Sequence, residues 1–567
     1  MKKPVQRHST HRRAQISLLL AGLGLILSSL IVGCASGNAP TFLTESESTP
    51  AADSIGERMF LDPRFAEYFA THMTGVNDPL SAGDPVVATV EDGDTTLPGP
   101  FAGQAMNCRS CHFVTEFQGV TNAGNRTYAD FTTHSPIPRV MIGFDHTPRN
   151  AMQMVGSLQS GAQLLHFDGE FATPEALVEG TLTGRNLGWA PTQYAQAIAH
   201  IARVIREDDG SSQLASDRTN SLSYAVLMLG TDSRIPPDLR LPKSQRLDVS
   251  KATDQQILDE VALCMATYMR DLLFQQDEYG RYIGSPYDNF LRVNHLPVQA
   301  LSGETKAHYN QRLYNELVAL KSPTYITAKN GSFKYHDQTY QFGPQELQGL
   351  LIFLKIGSAT GGDDQHAGNC AACHLAPDFT DFSFHNTGVS QDEYDAVWGS
   401  GAFLNLHVPT LTERTANFDQ YMPASGAHPS AVEVFRRAAS ATNAGYADLG
   451  MWNIYQNPDV PGPQSILKSI VCTTGRDCSV DAGLASTIAQ FKTPTLRDLE
   501  DSAPYFHDGS RATFEAVIRF YIQSSKLAHQ GALRNAAAEF ANMHLSDDDI
   551  AALAAFLKSL TEDYDDA

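Results

Sequence analysis

Two five-residue motifs constrain the fold of this chain more than any other feature of its sequence. Residues 108–112 and 370–374 both read Cys-x-x-Cys-His, the spacing at which c-type haem is attached to a protein. Two thiols three positions apart lie about one helical turn from each other, so both can reach the vinyl groups on one side of a porphyrin. The histidine that follows is then placed to bind the iron.

A single Cys-x-x-Cys pair also occurs in zinc sites and in thiol-redox proteins. Here the pair occurs twice, each time with a histidine, in a chain whose N-terminus predicts export. We therefore expect two covalently attached haem c groups. The expected attachment and iron-binding residues are Cys108, Cys111 and His112 for the first haem, and Cys370, Cys373 and His374 for the second.

The first 33 residues predict a signal peptide. Basic residues without any acidic residue precede an apolar run from Ile16 to Val32, which is short for a transmembrane span. The run ends at Cys34 in a sequence that resembles the lipobox of bacterial lipoproteins, so Cys34 is the expected lipidated residue. Ala35 at the next position is typical of sorting to the outer membrane, facing the periplasm or the cell surface. An uncleaved anchor helix with an incidental cysteine is the alternative.

Residues 34–54 are rich in Ser, Thr, Pro and Glu, which predicts a flexible tether before the folded body. The chain carries 63 acidic and 41 basic residues, a formal charge of −22, and loss of the five basic residues of the signal leaves −27. Such a chain is not expected to bind nucleic acid, because neutralising phosphates requires a basic face. Its acidic field favours a partner with a basic docking surface.

The two motifs have similar surroundings, which predicts a repeated domain. A short predicted helix with a glycine and a phenylalanine at similar offset precedes each motif, at 56–62 and at 349–353. A chance match between two short helices is the alternative. We expect a mainly helical, all-α protein with an N-terminal haem domain at 55–340, which contains an insertion at about 205–335, and a C-terminal haem domain at 341–567.

The remaining cysteines predict structural roles. Cys264 falls on the apolar face of a predicted helix that begins after Thr253, so we expect it to be packed in a core. Cys472 and Cys478 flank a turn-prone segment, and in an oxidising compartment this spacing suits a local disulfide. Two free thiols are the alternative for that pair.

The C-terminal third contains the motifs that carry a family resemblance. Phe-His-Asn-Thr-Gly at 384–388, Phe-Lys-Thr-Pro-Thr-Leu-Arg at 491–497 and Ala-Pro-Tyr-Phe-His-Asp-Gly at 503–509 follow the second haem motif. Together with the two haem motifs, they resemble the bacterial di-haem cytochrome c peroxidase and MauG family. The resemblance is specific over about 340–567 and looser over 55–190, and it implies two cytochrome c-like domains.

This resemblance implies that the two haems have different functions. In the family the N-terminal haem reacts with peroxide and the C-terminal haem passes electrons. The distal ligand of the C-terminal haem lies fourteen positions after the histidine of Pro-Tyr-Phe-His, which is Tyr521 here. Peroxidases of the family carry Met at this position and MauG-like members carry Tyr, whose phenolate lowers the potential of the iron. By periodicity alone, Phe520 and Tyr521 are two core aromatic residues of a helix.

The resemblance also implies a Ca²⁺ ion that bridges the domains and is held by oxygen atoms. The corresponding residues are Asn150 through its side chain, and Ser502 and Pro504 through their backbone carbonyls. The implied partners are H2O2 and either an electron-donor protein, such as a small cytochrome or a cupredoxin, or a protein substrate.

One motif departs from the family pattern. Where family peroxidases carry Phe-Trp-Asp-Gly-Arg, this chain has His-Phe-Asp-Gly-Glu at 166–170, so Phe167 stands in place of the tryptophan between the haems. The Gln and Glu that act on peroxide in the family have no clear match downstream. Because peroxide cleavage needs a group that moves a proton, Glu179 and Arg185 are the candidate catalytic residues. A solvated helical glutamate and a structural arginine are the alternatives.

Three functions remain open at this point. The first, which we expect, is a peroxidase-like or MauG-like enzyme that uses H2O2 or a high-valent haem iron. The second is an electron-transfer di-haem cytochrome without peroxide activity. The third is a haem oxygenase of the rubber-cleaving type, which attacks an apolar substrate with O2.

Overall fold

The computed structural model describes residues 50–92, 95–98, 101–112, 136–141, 144–147, 149–159, 161–359, 365–472, 479–500 and 502–563. Within these residues the chain is mainly helical, and its strands form three separate two-stranded antiparallel sheets. The expected mainly helical, all-α class is confirmed. No helix in this part of the chain is long and apolar enough to cross a bilayer. The predicted signal peptide and Cys34 lie outside the described residues.

The helices and strands follow one another along the whole described chain. The α-helices are α1 (Pro50–Leu61), α2 (Glu67–His72), α3 (Pro174–Leu182), α4 (Tyr194–Glu207), α5 (Gln213–Thr219), α6 (Tyr224–Leu229), α7 (Asp254–Asp271), α8 (Pro286–Val293), α9 (Lys306–Ala319), α10 (Pro344–Leu354), α11 (Val389–Trp398), α12 (Leu411–Ala416), α13 (Phe418–Tyr421), α14 (Gln464–Val471), α15 (Val480–Ser486), α16 (Phe514–His529) and α17 (Ile550–Lys558). The strands are β1 (Thr89–Asp92), β2 (Thr95–Pro98), β3 (Pro136–Met141), β4 (Phe144–His146), β5 (Phe384–His385) and β6 (Phe491–Lys492).

Helix α1 begins earlier than the sequence predicts. The composition predicts a tether as far as residue 54, but α1 already begins at Pro50. Ala51 and Ala52 are buried in the first core, and this packing makes the segment helical although its composition is typical of a linker.

Two pairs of helices approach to backbone contact at a glycine. Helix α1 packs on α7 at Gly56, where a Cβ atom would lie 2.0 Å from the carbonyl oxygen of Cys264. Helix α10 packs on α17 at Gly349, where a Cβ atom would lie 1.9 Å from the carbonyl oxygen of Ala552. Because neither distance is possible for real atoms, only glycine permits these crossings. The glycine that precedes each haem motif therefore marks a close helix crossing.

An aromatic pair lies beside each of these crossings. Ring centroids are 5.3 Å apart between Phe60 of α1 and Tyr268 of α7, and 5.1 Å apart between Phe353 of α10 and Phe556 of α17. Tilted or edge-to-face aromatic pairs at such distances contribute about 0.5–1.5 kcal/mol beyond the burial of their area. Each haem motif is thus preceded by the same kind of helix, packed in the same way.

The segment 205–335, which the sequence predicts as an insertion, contributes to the first and second cores. Helix α7 lies within it, yet α7 packs against α1 as part of the first core. The first core extends to Tyr282 and the second begins at Tyr287, so the two cores share this segment. The sequence did not indicate this because α1 and α7 are far apart along the chain.

A third core, formed by helices α11, α14 and α15 and largely by the irregular segments between them, lies inside the C-terminal half. At its centre Trp452 is fully buried, and the guanidinium of Arg414 lies 4.9 Å from the tryptophan ring. Leu164, from the first half of the chain, packs into the same core. This contact joins the N-terminal half to the region that follows the second haem motif.

Of the remaining cysteines, the structure places Cys264 and Cys472. Cys264 of α7 is fully buried in the first core, as predicted. Cys478 lies outside the described residues, so its disulfide with Cys472 stays a prediction.

Candidate functional site

The two Cys-x-x-Cys-His motifs fold into the same turn. Cys108–Ser110 and Cys370–Ala372 each form a 3₁₀ turn. In both, the histidine N–H donates to the carbonyl of the first cysteine, at 3.0 Å for His112 and 2.9 Å for His374. This compact turn keeps the two thiols and the imidazole of each motif in one local unit, as attachment to a single porphyrin requires.

Each motif histidine is also held in one orientation. The Nδ1 atom of His112 lies 2.8 Å from the carbonyl oxygen of Met152, and that of His374 lies 3.0 Å from the carbonyl oxygen of Phe379. Because only a protonated Nδ1 can donate to a carbonyl, Nε2 keeps its lone pair for a metal. Burial lowers the pKa of His112 to about 4 and also lowers that of His374, which favours the neutral imidazole that binds iron.

A cavity of about 250 Å³ lies beside the second motif. Its lining combines Cys370, Cys373 and His374 with apolar side chains of α10, α16 and α17. Burial raises the pKa of the Cys370 thiol to about 12, so the free thiol stays protonated. Two thiols and one imidazole around an apolar cavity fit a covalently held porphyrin. We call this space the C-terminal cavity.

Tyr521 of α16 lines the C-terminal cavity together with His374. Its ring centroid lies 6.1 Å from that of Phe506 and 6.3 Å from that of Phe540. Burial is the main cause that raises the pKa of its phenol. The structure thus brings together the two residues that the family resemblance pairs as proximal and distal ligands, while their binding to iron stays a prediction.

The loops before α3 and α16 form a second repeat, which sequence reasoning missed. Leu165 bridges Phe171 in the first loop, and Tyr505 bridges Arg511 in the second, so corresponding residues are 340 positions apart. Both loops contain Asp-Gly-x-x-Ala-Thr, at 168–173 and at 508–513. This six-residue pattern is the signal by which a comparison of the sequence with itself finds the repeat.

The backbone of the two loops is also alike. His166 has a φ of 64° and Phe506, its counterpart, a φ of 72°, although such values are rare outside glycine. The side chains of Thr173 and Thr513 cap the first turns of α3 and α16. The two loops therefore lead into α3 and α16 with the same backbone geometry. We call residues 165–173 loop 1 and residues 505–513 loop 2.

Large and small residues are exchanged between the two repeats. Gly180 of α3 faces the ring of Phe171, with only 2.7 Å between that ring and a Cβ atom at position 180. At the corresponding positions in the second repeat, Phe520 lies 5.3 Å from the guanidinium of Arg511. Because a large residue in one partner is matched by a small or flexible one in the other, each helix can pack against the loop that precedes it. In the same register, Thr181 of α3 corresponds to Tyr521 of α16.

The two loops meet beside the C-terminal cavity. Phe167 of loop 1 and His507 of loop 2, which correspond in the repeat, have ring centroids 6.2 Å apart and both line this cavity. Phe491 stacks on His507 at 3.6 Å. Phe167, the residue in place of the family tryptophan, thus lies at the junction of the two halves.

Asn150 links the first half to loop 2. Its side-chain Nδ2 donates to the carbonyls of Pro504 and Phe506, at 2.8 Å each. Its Oδ1 is buried and accepts no hydrogen bond from the described residues. The two ends of an amide are assigned from such networks, and rotation of the amide would turn Oδ1 toward the same carbonyls. Asn150, Ser502 and Pro504, the three residues expected to hold Ca²⁺, all line the C-terminal cavity.

A buried ion-pair network also crosses between the halves. Arg149 donates to Asp168 of loop 1 at 2.7 Å and to Asp448 at 2.6 Å. Arg436 lies 3.2 Å from Asp168 and 2.7 Å from Glu170. Burial alone would raise the pKa of Asp448, but Arg149 holds it below its ordinary value. The network thus keeps Asp448 ionised and fixes loop 1 against the C-terminal half.

The two predicted catalytic residues are not brought together at a haem motif by the contacts of the described residues. Glu179 interacts with Asp259 of α7, and burial raises the pKa of its carboxyl. It lies two residues before Thr181 on α3, which places the two side chains on nearly opposite faces of that helix. Arg185 forms an ion pair with Glu433 at 3.3 Å. A role for Glu179 or Arg185 in peroxide chemistry stays a prediction.

Comparison with known proteins identifies one curated relative at the level of sequence. The chain is 27% identical over 194 residues to the cytochrome c peroxidase IdrP2 of Denitromonas iodatirespirans, which is 34% of this chain and 36% of the relative. The chain thus matches about a third of the length of that relative. No protein-family model matches the chain.

Solved structures give broader but weaker similarities. A MauG-like protein associated with microbial copper homeostasis is 16% identical, with a TM-score of 0.41 over 92% of this chain and 91% of that chain. The diheme peroxidase BthA from Burkholderia thailandensis is also 16% identical, with a TM-score of 0.38 over 92% of this chain and 88% of that chain. The match to the cytochrome c peroxidase IdrP2 agrees with the resemblance that the sequence motifs of this chain bear to the bacterial di-haem cytochrome c peroxidase and MauG family.

Proposed function

We propose that this chain is a di-haem c-type redox enzyme, peroxidase-like or MauG-like, that reduces H2O2 at an N-terminal haem. The observation that carries this proposal is the pair of equivalent motifs, each with two cysteines and a histidine whose Nδ1 donates to a backbone carbonyl. When bound, the haems supply the two electrons that convert H2O2 and two protons into two molecules of water. The N-terminal haem is assigned to Cys108, Cys111 and His112, and the C-terminal haem to Cys370, Cys373 and His374.

A difference between the two repeats supports different tasks for the two haems. Tyr521 offers the C-terminal site a phenol oxygen, which is an established kind of haem ligand. At the corresponding position of the first repeat stands Thr181, whose short side chain is not among the usual haem ligands. We therefore assign peroxide to the N-terminal site and electron relay to the C-terminal site.

The proposed setting is the periplasmic face of the outer membrane, with lipid on Cys34 as the anchor. The formal charge of −22 favours an electron donor with a basic docking surface, such as a small cytochrome or a cupredoxin. Salt would weaken that encounter, because charges about 10 Å apart are largely screened at 0.1 M ionic strength. A protein substrate with a basic surface would be attracted in the same way.

A Ca²⁺ ion between the halves is part of the same proposal. Asn150 Oδ1 and the carbonyl oxygens of Ser502 and Pro504 are hard oxygen donors, which suit this ion. Their common place in the lining of the C-terminal cavity supports the assignment. Bound there, the ion would hold loop 2 against Asn150.

Ferric optical and EPR spectra of the purified holoprotein, with and without H2O2, test the proposed function. We expect one high-spin haem that responds to peroxide and one low-spin haem. Two low-spin haems with no response to peroxide would contradict the proposal and favour an electron-transfer cytochrome. Oxygen uptake with an apolar substrate and no added peroxide would instead favour the oxygenase.

A further inference from the structure

His166 of loop 1 corresponds to Phe506 of loop 2 in the second repeat. Phe506 lines the C-terminal cavity and contacts Tyr521, so this loop position lies on the side where the distal ligand is expected. By this correspondence we expect His166 near Thr181, on the distal side of the N-terminal site. We propose that His166 is the proton-transfer residue for H2O2 at the N-terminal haem, an inference that rests on the proposed function.

A separate observation places the loop of His166 near the first haem motif. The Nδ1 atom of His112 lies 2.8 Å from the carbonyl oxygen of Met152. Three residues before Met152, Arg149 donates to Asp168 at 2.7 Å, and Asp168 follows His166 by two residues in loop 1. The short segment 149–152 therefore links the histidine of the first motif to the loop that carries His166.

The imidazole of His166 is oriented by an anchored carboxylate. Its Nδ1 atom lies 3.1 Å from Oε2 of Glu170, and Arg436 donates to the same oxygen at 2.7 Å. Burial opposes ionisation of Glu170, but Arg436 and His166 hold its pKa well below the ordinary value. Because a carboxylate only accepts hydrogen bonds, the proton of the neutral imidazole lies on Nδ1, and Nε2 keeps its lone pair.

The imidazole of His166 is not fully buried. Its side chain is 30% exposed, whereas Asp168 beside it is fully buried. A partly exposed histidine with one nitrogen anchored by a carboxylate is an arrangement that suits a general base. The unusual positive φ of His166 is held by the bridge between Leu165 and Phe171, which fixes the loop around it.

His166 would move one proton during cleavage of the O–O bond. Its Nε2 accepts the proton of the peroxide oxygen nearer the haem and returns it to the farther oxygen, which leaves as water. The two electrons come from the haems, as stated for the proposed function. Two solvent protons convert the remaining oxygen into the second water, so one H2O2, two electrons and two protons yield two waters.

The test compares ligands that do and do not release a proton, using the full-length holoprotein. Hydrogen cyanide loses a proton when it binds a ferric haem, whereas carbon monoxide binds a ferrous haem without proton release. In His166→Phe, which carries the residue of loop 2, we expect cyanide binding and the spectral reaction with H2O2 to slow about 100-fold or more. The rate of carbon monoxide binding should stay unchanged. Exposed His407→Phe serves as the matched control.

Two further variants separate proton transfer from structural support. His166→Gln keeps a polar side chain of similar length but cannot act as a base, so it should bind cyanide as slowly as His166→Phe. Glu170→Gln keeps the imidazole but removes the anchoring charge, and a smaller loss in cyanide rate is expected. If His166→Phe fails to retain haem, these two variants carry the test.

The outcomes distinguish this inference from the proposed function. Equal cyanide rates in wild type and in the His166 variants, in a protein that still reacts with peroxide, would overturn only the role of His166. A wild-type protein inert to peroxide, whose cyanide rate nonetheless falls in the variants, would contradict the proposed function and support the role of His166. Loss of cyanide and carbon monoxide rates to the same extent would indicate a structural role and overturn the inference.

Discussion

The Cα of Gly56 lies so close to Cys264 that a Cβ atom at position 56 would stand 2.0 Å from the cysteine carbonyl oxygen. The same relation holds between Gly349 and Ala552, at 1.9 Å. In both cases the obstacle is backbone, which cannot move without separating two helices. The two helix pairs that flank the haem motifs therefore depend on glycine at these two positions.

Gly56→Ala and Gly349→Ala should each destabilise the holoprotein strongly. Overpacking of a tight interior costs about 1–3 kcal/mol and more where backbone must shift, so we expect at least about 3 kcal/mol for each variant. Chemical denaturation monitored at the haem absorbance measures the loss. Gly462→Ala, where nothing lies within 4 Å of the added atom, is the control. A loss no greater than that of the control would show that the helices can separate freely.

The Asp448→Asn variant tests the buried ion pair with Arg149 through the pH dependence of protein stability. Removing one partner of a buried pair lowers the free energy of unfolding by about 3–5 kcal/mol, and we expect this loss at pH 7. Since the folded-state pKa of Asp448 is lowered, its stabilisation is present above the ordinary value near 4 and is lost as the pH falls through the folded-state pKa. The difference in free energy of unfolding between wild type and variant should therefore decrease as the pH falls from 5 to about 2.

Thermal or urea unfolding of both proteins across this pH range checks that expectation. Exposed Asp238→Asn provides the matched control, with little effect at any pH. A difference that stays constant from pH 7 to pH 3 would mean that charge contributes nothing to the link between the two halves.

Tyr521→Phe should change the low-spin haem without unfolding its site. The variant keeps the ring that packs against Phe506 and Phe540 but removes the oxygen that we expect to bind iron. A shifted ferric spectrum and a raised reduction potential are the expected results. Tyr505→Phe, which removes a hydroxyl bonded to the Leu499 carbonyl at 2.8 Å in the same cavity lining, should leave the spectrum unchanged. Identical spectra for wild type and Tyr521→Phe would show that Tyr521 contributes only to packing.

Replacing one cysteine pair at a time should remove one haem at a time. Alanine at Cys108 and Cys111 should leave the C-terminal haem, and alanine at Cys370 and Cys373 should leave the N-terminal haem, because each pair forms its own thioether bonds. Denaturing gels stained for haem and the pyridine haemochrome content measure this. Cys264→Ala, at a buried core position, should keep both haems. A wild-type content of one haem per chain would contradict the repeat.

Asn150→Ala should lower the calcium content of the purified protein. Metal analysis should find one Ca²⁺ per chain in the wild type and less in the variant, because the side-chain oxygen is one of the three proposed donors. Chelation should in turn lower the thermal stability of the wild type more than that of the variant. Exposed Asn443→Ala is the control. Wild-type protein without calcium would exclude the site.

Local chemistry explains what could be predicted. The residues of the two haem motifs lie within five positions of one another, so their spacing alone indicates attachment. Tyr521 required the family resemblance, and the structure places it with His374 in one cavity. The buried position of Cys264 followed from helical periodicity. The pattern of the sequence was sufficient wherever the interacting residues are close together along the chain.

Contacts between distant segments could not be predicted from the local pattern. Helix α1 begins at Pro50, inside the predicted tether, because Ala51 and Ala52 pack in the first core, and α7, inside the predicted insertion, joins the same core. Glu179 and Arg185 were chosen for residue type and for their place downstream of the 166–170 motif. The structure pairs Arg185 with Glu433, 248 residues away, while their role on peroxide stays a prediction.

The sequence by itself determined the haem attachment that we expect of this protein, because such attachment depends on cysteines and a histidine at fixed short spacing. Only the tertiary structure decided which side chains surround those sites. Arg436 is 266 residues from Glu170, yet it holds the carboxylate that orients His166. The charge state and orientation of a buried group depend on what packs around it, and those neighbours come from distant parts of the chain.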